Sequence, residues 1–229
     1  MSTEVKQLDE IPGHEARDAS FSEERRYRRG WAAKDSKDRR SAKGAATRAA
    51  LVDAARHLFG TKGYADTSID EVVRAADVTK GAMYHHFRGK EDLFAAVYED
   101  VQIEVSDLVV AEFLRPDPWE ALIVGCNLWI DAHLDPEIQQ ITMRDARAVL
   151  GWDHVREVEA RFGAVPLRGV LRRAIRAGVV ANFPLRPLAL MLMGTLSESC
   201  LYVADADEPE EARREVQDLV LRLLSGLRV

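Results

Sequence analysis

Cysteine is scarce: the 229 residues contain only Cys126 and Cys200. That rules out a disulfide framework, and the chain reads as a reduced, cytoplasmic protein. Long hydrophobic runs are missing too. No stretch of 18 or more uninterrupted apolar residues occurs and the N-terminus has no signal-peptide core, so no membrane partner is expected. Aromatic residues make up 7% of the chain, and its 14 Gly and 8 Pro fall mostly between long periodic segments. No credible strand pair is found, and an all-α fold is expected. Hydrophobic residues at 47% are enough for a sizeable core in one large or two small domains.

The net charge of -6 argues against a polyanionic partner only until its distribution is read. Arg25, Arg26, Arg28, Arg29, Lys34, Lys37, Arg39, Arg40, Lys43 and Arg48 stand against Asp35 and Asp38 in one short segment. The remainder is therefore acidic, and such asymmetry marks a chain with one end facing a polyanion and one end solvated. A solvated disordered tail explains the same run equally well.

Residues 1–44 have few aliphatics and no sustained period. They read as a flexible basic arm, with a helical turn around Glu24 to Arg29. From Thr47 the pattern becomes helical, with Leu51, Ala55, Leu58 and Phe59 on one face until Gly60 and Gly63. A short second helix follows a Thr67 or Ser68 cap, with Ile69, Val72, Val73 and Ala76 inward and Asp70 and Glu71 in its first turn. Thr79 caps a third that carries Met83 and Phe87 inward, and a fourth runs from Lys90 to about Leu114. Residues 45–95 then form one domain and 96–229 a second.

Two short helices joined by a tight turn and packed on longer ones make a helix-turn-helix, whose second helix enters a DNA major groove. With Met83 and Phe87 inward, Lys80, Gly81, Ala82, His85 and His86 project outward and Tyr84 keeps its hydroxyl outside. Lys80 suits a base edge or a phosphate, Gly81 permits close backbone approach, and Ala82 suits a thymine methyl. Thr67, Thr79, Tyr84, His85, His86 and Lys90 suit phosphate oxygens. Adjacent histidines point about 100° apart on a helix and no third ligand is near, so no metal site is expected there. No nucleophile elbow, phosphate loop or zinc motif appears, which argues against an enzyme, and no cofactor is implied.

The run TRAALVDAARHLFGTKGYADTSIDEVVRAADVTKGAMYHHFRGKEDLF, from Thr47 to Phe94, resembles the N-terminal domain of the TetR (tetracycline-repressor) family of bacterial transcription regulators. The resemblance rests on the Gly-Tyr before helix two, the Thr-Ser cap, the Val-Thr-Lys-Gly turn, Tyr84, Phe87 and Lys90. It implies that Thr67, Tyr84, His85, His86 and Lys90 bind phosphate while Lys80 and Gly81 approach bases. One departure stands out: members usually have glycine where this chain has Asp77. Aspartate tolerates the left-handed backbone of that turn better than most residues, so a retained, slightly strained turn is expected.

Downstream, Asp117 and Pro118 start a helix striped by Trp119, Leu122, Ile123, Cys126, Trp129, Ile130 and His133 and closed by Pro136. Helices over Ile138 to Leu150 and Asp153 to about Ala177 follow, the latter kinked near Pro166 and ended by Gly178. The resemblance implies a helical bundle around a small-molecule pocket. Trp129, His133, Met143, Trp152, Phe162 and Phe183 are candidate walls, with His133 and Asn127 as polar anchors; plain core explains the aromatics as well. Near the C-terminus one stripe carries Leu188, Leu192, Thr195, Leu196, Ser199 and Val203, and another carries Val216, Leu219, Val220, Leu223, Leu224 and Leu227. The first of these helices also has Leu190, Met191, Met193 and Gly194 on its other faces. It therefore needs cover on two sides, which a second subunit supplies; a monomer that buries both stripes internally is the alternative. The family resemblance likewise implies a homodimer through this pair, and two reading heads then address successive major grooves of an inverted repeat.

The expectation is a dimeric, sequence-specific transcription regulator, a repressor released from its operator by a small-molecule effector. The rival is an architectural DNA binder without an effector, for which the basic arm speaks. A redox sensor on Cys126 and Cys200 is more distant.

Overall fold

The computed structural model describes residues 39–229, with side chains from residue 44 on. The arm expected over residues 1–44 falls almost wholly outside the described residues, as does the turn expected around Glu24 to Arg29. The backbone from Arg39 is already helical, earlier than the hydrophobic period announces: α1 spans Arg39–Asp66. It breaks at Gly63, whose φ of 81° and ψ of 164° lie where only glycine goes without strain. Short helices follow at Ile69–Ala75 (α2) and Lys80–His86 (α3), then the long Lys90–Phe113 (α4).

Local chemistry accounts for the boundaries of α2 and α3. Ser68, not Thr67, caps α2: its hydroxyl accepts from the Glu71 N–H while the Glu71 carboxylate accepts from the Ser68 N–H, a reciprocal capping box. Paired also with Lys62 at 2.6 Å, the Glu71 carboxyl is held down at about 2. Asp77 closes the turn at φ 52°, the only described residue besides glycines with a left-handed backbone. Thr79 caps α3 by accepting from the Ala82 N–H. Met83 and Phe87 are buried as the spacing requires, and Phe59, Tyr64 and Phe94 stack with centroids 5.2 to 5.7 Å apart, joining α1 to α4.

The rest of the bundle comprises α5 (Pro118–His133), α6 (Pro136–Gln139), α7 (Ala146–Glu159), α8 (Val165–Arg176), α9 (Leu185–Ala204) and α10 (Pro209–Ser225). Asp117 caps α5 with Pro118 in its first turn. Pro136 does not merely close α5: capped by Asp135, it opens α6. Two wider π turns, at Gln140–Asp145 and Ala160–Ala164, interrupt the middle of the bundle. The second ends just before Pro166, which cannot donate a helical hydrogen bond, and it replaces the kink expected there. A third interruption comes at Gly151, φ 77°, inside α7. Gly178 at φ 71° ends the α8 region as expected.

α5 packs on α4, α8 and α9, and α10 packs on α9. Arg173 of α8 clamps the end of α4 by donating to the carbonyls of Phe113 and, at 2.6 Å, Arg115. α9 is long and apolar enough to cross a membrane by length and composition, but Ala189, Met193, Leu196, Cys200 and Val203 pack it into the bundle core. Among the described residues there is no strand, only an isolated bridge between Val180 and Arg228.

Candidate nucleic-acid interface and interior cavity

The outward face of α3 is built by what α3 hides. Met83 and Phe87 anchor one side, so Lys80, Gly81, Tyr84 and His85 are exposed, Tyr84 at 51%, and Ala82 and His86 half-buried. A Cβ on Gly81 would approach nothing nearer than the Thr79 hydroxyl at 3.9 Å, so its missing side chain serves no internal packing. The Lys80 ammonium pairs with the Asp70 carboxylate of α2 at 2.8 Å, which raises its pKa. Lys90 sits at the start of α4 with its ammonium 4.2 Å from the Tyr64 ring centroid, donating to the Ala65 carbonyl at 3.3 Å. His85 and His86 stand edge to face, 5.2 Å between centroids, and diverge as a helix demands. Partial burial, then His85, then Arg48 push His86 below its ordinary 6.5, so it is neutral at neutral pH.

Thr67 is a correction. It is 2% exposed, and its hydroxyl donates to the Gly63 carbonyl at 2.9 Å and the Leu58 carbonyl at 3.1 Å. It ties the end of α1 to the turn and its side chain is closed to a phosphate.

The head is fastened to the bundle by acidic groups that sequence reading passed over. The Asp145 carboxylate accepts from the Tyr64 N–H at 2.8 Å, the group left free by the break at Gly63, and from the Gln140 amide at 3.1 Å. Arg56 of α1 reaches Glu137 at 2.8 Å and also Glu104. Glu137 packs on Gly60, where any Cβ would collide with its side chain at 2.0 Å. No local pattern marks these pairs, since the partners lie 48 to 81 residues apart.

Between α4, α5, α9 and the π turn before α8 lies a narrow cavity of about 10 Å³, faced by Ser106, Phe113, Cys126, Trp129, Phe162 and Met193 among others. Of the candidate walls it brings together only Trp129 and Phe162. Met143 is buried elsewhere, Asn127 is half-buried on α5 away from the cavity, and Trp152 and Phe183 are exposed, Trp152 beneath the Arg147 guanidinium. For Trp152 helical spacing did not distinguish inside from outside, because Gly151 re-aims the chain just before it. His133 is fully buried behind the wall, 3.9 Å from the Trp129 ring centroid. Its Nδ1–H donates to the Trp129 carbonyl at 2.9 Å, and its Nε2 has no hydrogen-bond partner among the described residues. Burial holds it down at about 4, so it is neutral. Burial also pushes the Cys126 and Cys200 thiols up to about 12, which leaves no thiolate for redox sensing.

The expected dimer surface also needs correction. Leu196, Val216, Val220 and Leu224 are buried within the protomer, while Leu188, Leu192, Thr195 and Ser199 flank that core half-buried. The apolar side chains left outside are Leu190, Met191 and Tyr202 on α9, and Leu219, Leu221 and Leu223 on α10, with Met191 71% exposed.

Residues 51–97 match the bacterial regulatory proteins of the tetR family, and residues 119–227 match the tetracyclin repressor-like C-terminal domain. A TetR-family transcriptional regulator from Pectobacterium atrosepticum of known structure is 35% identical and superposes with a TM-score of 0.73 over 84% of this chain and 98% of its own. The Transposon Tn10 TetC protein of Escherichia coli is 26% identical over 69% of this chain and 80% of its own length. The HTH-type transcriptional regulator SrpR of Pseudomonas putida is 30% identical over 58% of this chain and 62% of its own. With a reading head and a bundle each matched in the order the fold presents them, the chain belongs to the TetR family of bacterial transcriptional regulators.

Proposed function

We propose that this regulator reads its operator through α3, with Lys80, Gly81 and Ala82 against base edges and Thr79, Tyr84, His85, His86 and Lys90 on backbone phosphates. The observation that carries this reading is the division of α3: Met83 and Phe87 buried on one side, Lys80, Gly81, Tyr84 and His85 exposed on the other. A helix so divided presents a donor-rich side to the major groove. Two such heads, joined by the apolar faces of α9 and α10 in a homodimer, address an inverted repeat. The interior cavity is the effector site, and effector binding lowers operator affinity only as far as it favours the dimer that cannot span the two half-sites, typically by about 1 to 3 kcal/mol.

Selection from random duplexes at near-physiological salt tests the reading. An enriched inverted repeat with half-sites separated by whole helical turns supports it. Retention without any enriched sequence would instead support an architectural binder.

A further inference from the structure

Two glycines explain why the cavity is so small. A Cβ on Gly125 would lie 2.2 Å from the Phe113 ring, and one on Gly163 would lie 2.5 Å from the Met193 methyl. Phe113 and Met193 therefore rest directly on glycine backbone, in space that any other residue would occupy. What remains is about 10 Å³, room for roughly one water. The helix end behind Phe113 is held by Arg173, so the ring can turn without moving the backbone. Met193 is unbranched and adaptable, the side chain most readily displaced from such a seat.

The lining defines what would replace them. It includes no charged residue, and the Cys126 thiol is kept neutral by burial. Apart from that thiol, its polar side-chain groups are the Ser106 hydroxyl and the Trp129 indole N–H, and neither makes a hydrogen bond to a described residue. An ion placed here would lose its hydration with no opposite charge to compensate. A flat apolar body beside Trp129 and Phe162 would place its one oxygen against the Ser106 hydroxyl.

We propose that this cavity takes an uncharged aromatic molecule bearing one hydroxyl or carbonyl oxygen, admitted when Met193 leaves Gly163 and Phe113 leaves Gly125, with that oxygen held by Ser106. This rests on reading the cavity as the effector site. The two displaced side chains also give the ligand its leverage. Phe113 ends α4, whose other end carries Phe94 in the aromatic cluster of the head, and Met193 lies on α9 across the helix from the exposed Met191.

Calorimetry on the full chain without DNA compares naphthalene, 2-naphthol and 2-naphthoate. The expected order puts 2-naphthol first, about tenfold ahead of naphthalene. It puts 2-naphthoate at least about a hundredfold behind 2-naphthol. Ser106→Ala should erase the advantage of 2-naphthol over naphthalene and leave naphthalene unchanged, whereas Met193→Ala should tighten both. Binding of 2-naphthoate as strong as that of 2-naphthol, or no binding of any of the three to either the wild type or Met193→Ala, overturns the proposal. Operator release is measured separately: if 2-naphthol binds in the expected order yet leaves the DNA complex intact, the ligand class stands and the effector role of the cavity fails.

Discussion

The Lys80 ammonium lies 2.8 Å from the Asp70 carboxylate, so the group best placed for a base edge is already paired within the protein. Both side chains are more than half exposed, and such a pair is worth no more than about 1 kcal/mol. In the reading proposed above, DNA breaks this pair, at the same cost for every sequence. Asp70→Asn is therefore expected to strengthen binding to operator and scrambled duplex alike, by up to about fivefold, with the gain shrinking as salt rises. Lys80→Ala should cost about 1 to 3 kcal/mol and relax preference at one base position per half-site, while Lys90→Ala weakens all sequences evenly. Equilibrium titrations on both duplexes decide this, and an Asp70→Asn effect confined to the operator would make Asp70 a reader, not a competitor.

Asp77 holds φ 52° in the turn between α2 and α3, a region that costs most L-residues about 1 to 2 kcal/mol. Its short polar side chain softens that cost, and glycine removes it. Asp77→Ala should lose about 1 kcal/mol, and Asp77→Gly should match or exceed the wild type by less than that, because a freer unfolded chain offsets part of the relief. Thermal melts resolve the ranking, since 1 kcal/mol moves the midpoint by about 2 to 4 °C at this size. Equal stabilities for all three would mean that the turn is not strained.

How much of this was legible beforehand follows from the range of each interaction. The caps at Thr79 and Asp117 depend on a few neighbouring residues and are legible in the sequence, the cap of α2 is legible as Thr67 or Ser68, and the left-handed Asp77 is legible only through the family resemblance. Thr67 looked like a phosphate ligand because its bonds to the Gly63 and Leu58 carbonyls depend on how α1 ends in space. α9 is apolar on nearly every face, so periodicity alone could not say that Leu196 turns inward and Met191 outward. The π turns and the break at Gly151 shift the facing of everything near them, which is why Trp152 was misplaced. The ties from Tyr64 to Asp145 and from Arg56 to Glu137 lie beyond any local rule.

The tie at Asp145 makes its own prediction. Its carboxylate is the partner of the Tyr64 N–H, which lost its helical acceptor at Gly63. Asp145→Ala leaves that donor unsatisfied in a part-buried place, at a cost of about 1 to 3 kcal/mol. The loss should appear first in the head: faster amide exchange around Tyr64 than in α5, and weaker operator binding with ligand affinity at the cavity unchanged. Uniform acceleration of exchange across both regions would show that Asp145 supports global stability alone.

His133 predicts the pH response. Burial lowers its pKa from 6.5 to about 4 in the folded chain. Below pH 6.5 the unfolded chain takes up a proton that the folded one refuses, so unfolding is favoured as pH falls, and the loss is complete near pH 4. Above pH 6.5 neither state is charged at this position and no stability is lost through it. The full effect is on the order of 3 kcal/mol. Denaturant titrations at pH 7.5 and pH 4.5 should show the difference, and His133→Phe should reduce it while other acid-sensitive groups remain. An unchanged pH response in that variant would place the acid sensitivity elsewhere.

In the proposed homodimer, Met191 stands in the contact that holds two reading heads together. It is 71% exposed, and Leu190 and Tyr202 on the same helix are exposed as well, whereas Leu196 and Val203 face the protomer core. In a twofold contact the same patch meets itself, so one substitution enters the interface twice. Met191→Glu therefore sets two carboxylates into one apolar contact without touching the core. Sedimentation should find a monomer of unchanged helicity at concentrations where the wild type is a dimer. Operator affinity should fall by about a hundredfold or more, because the second head no longer acts as an intramolecular ligand. Leu196→Ala should do the reverse, lowering the melting temperature while the dimer persists. If Met191→Glu stays dimeric and Leu196→Ala dissociates, the contact runs through the inner stripe of α9, and the protomer must open to make it.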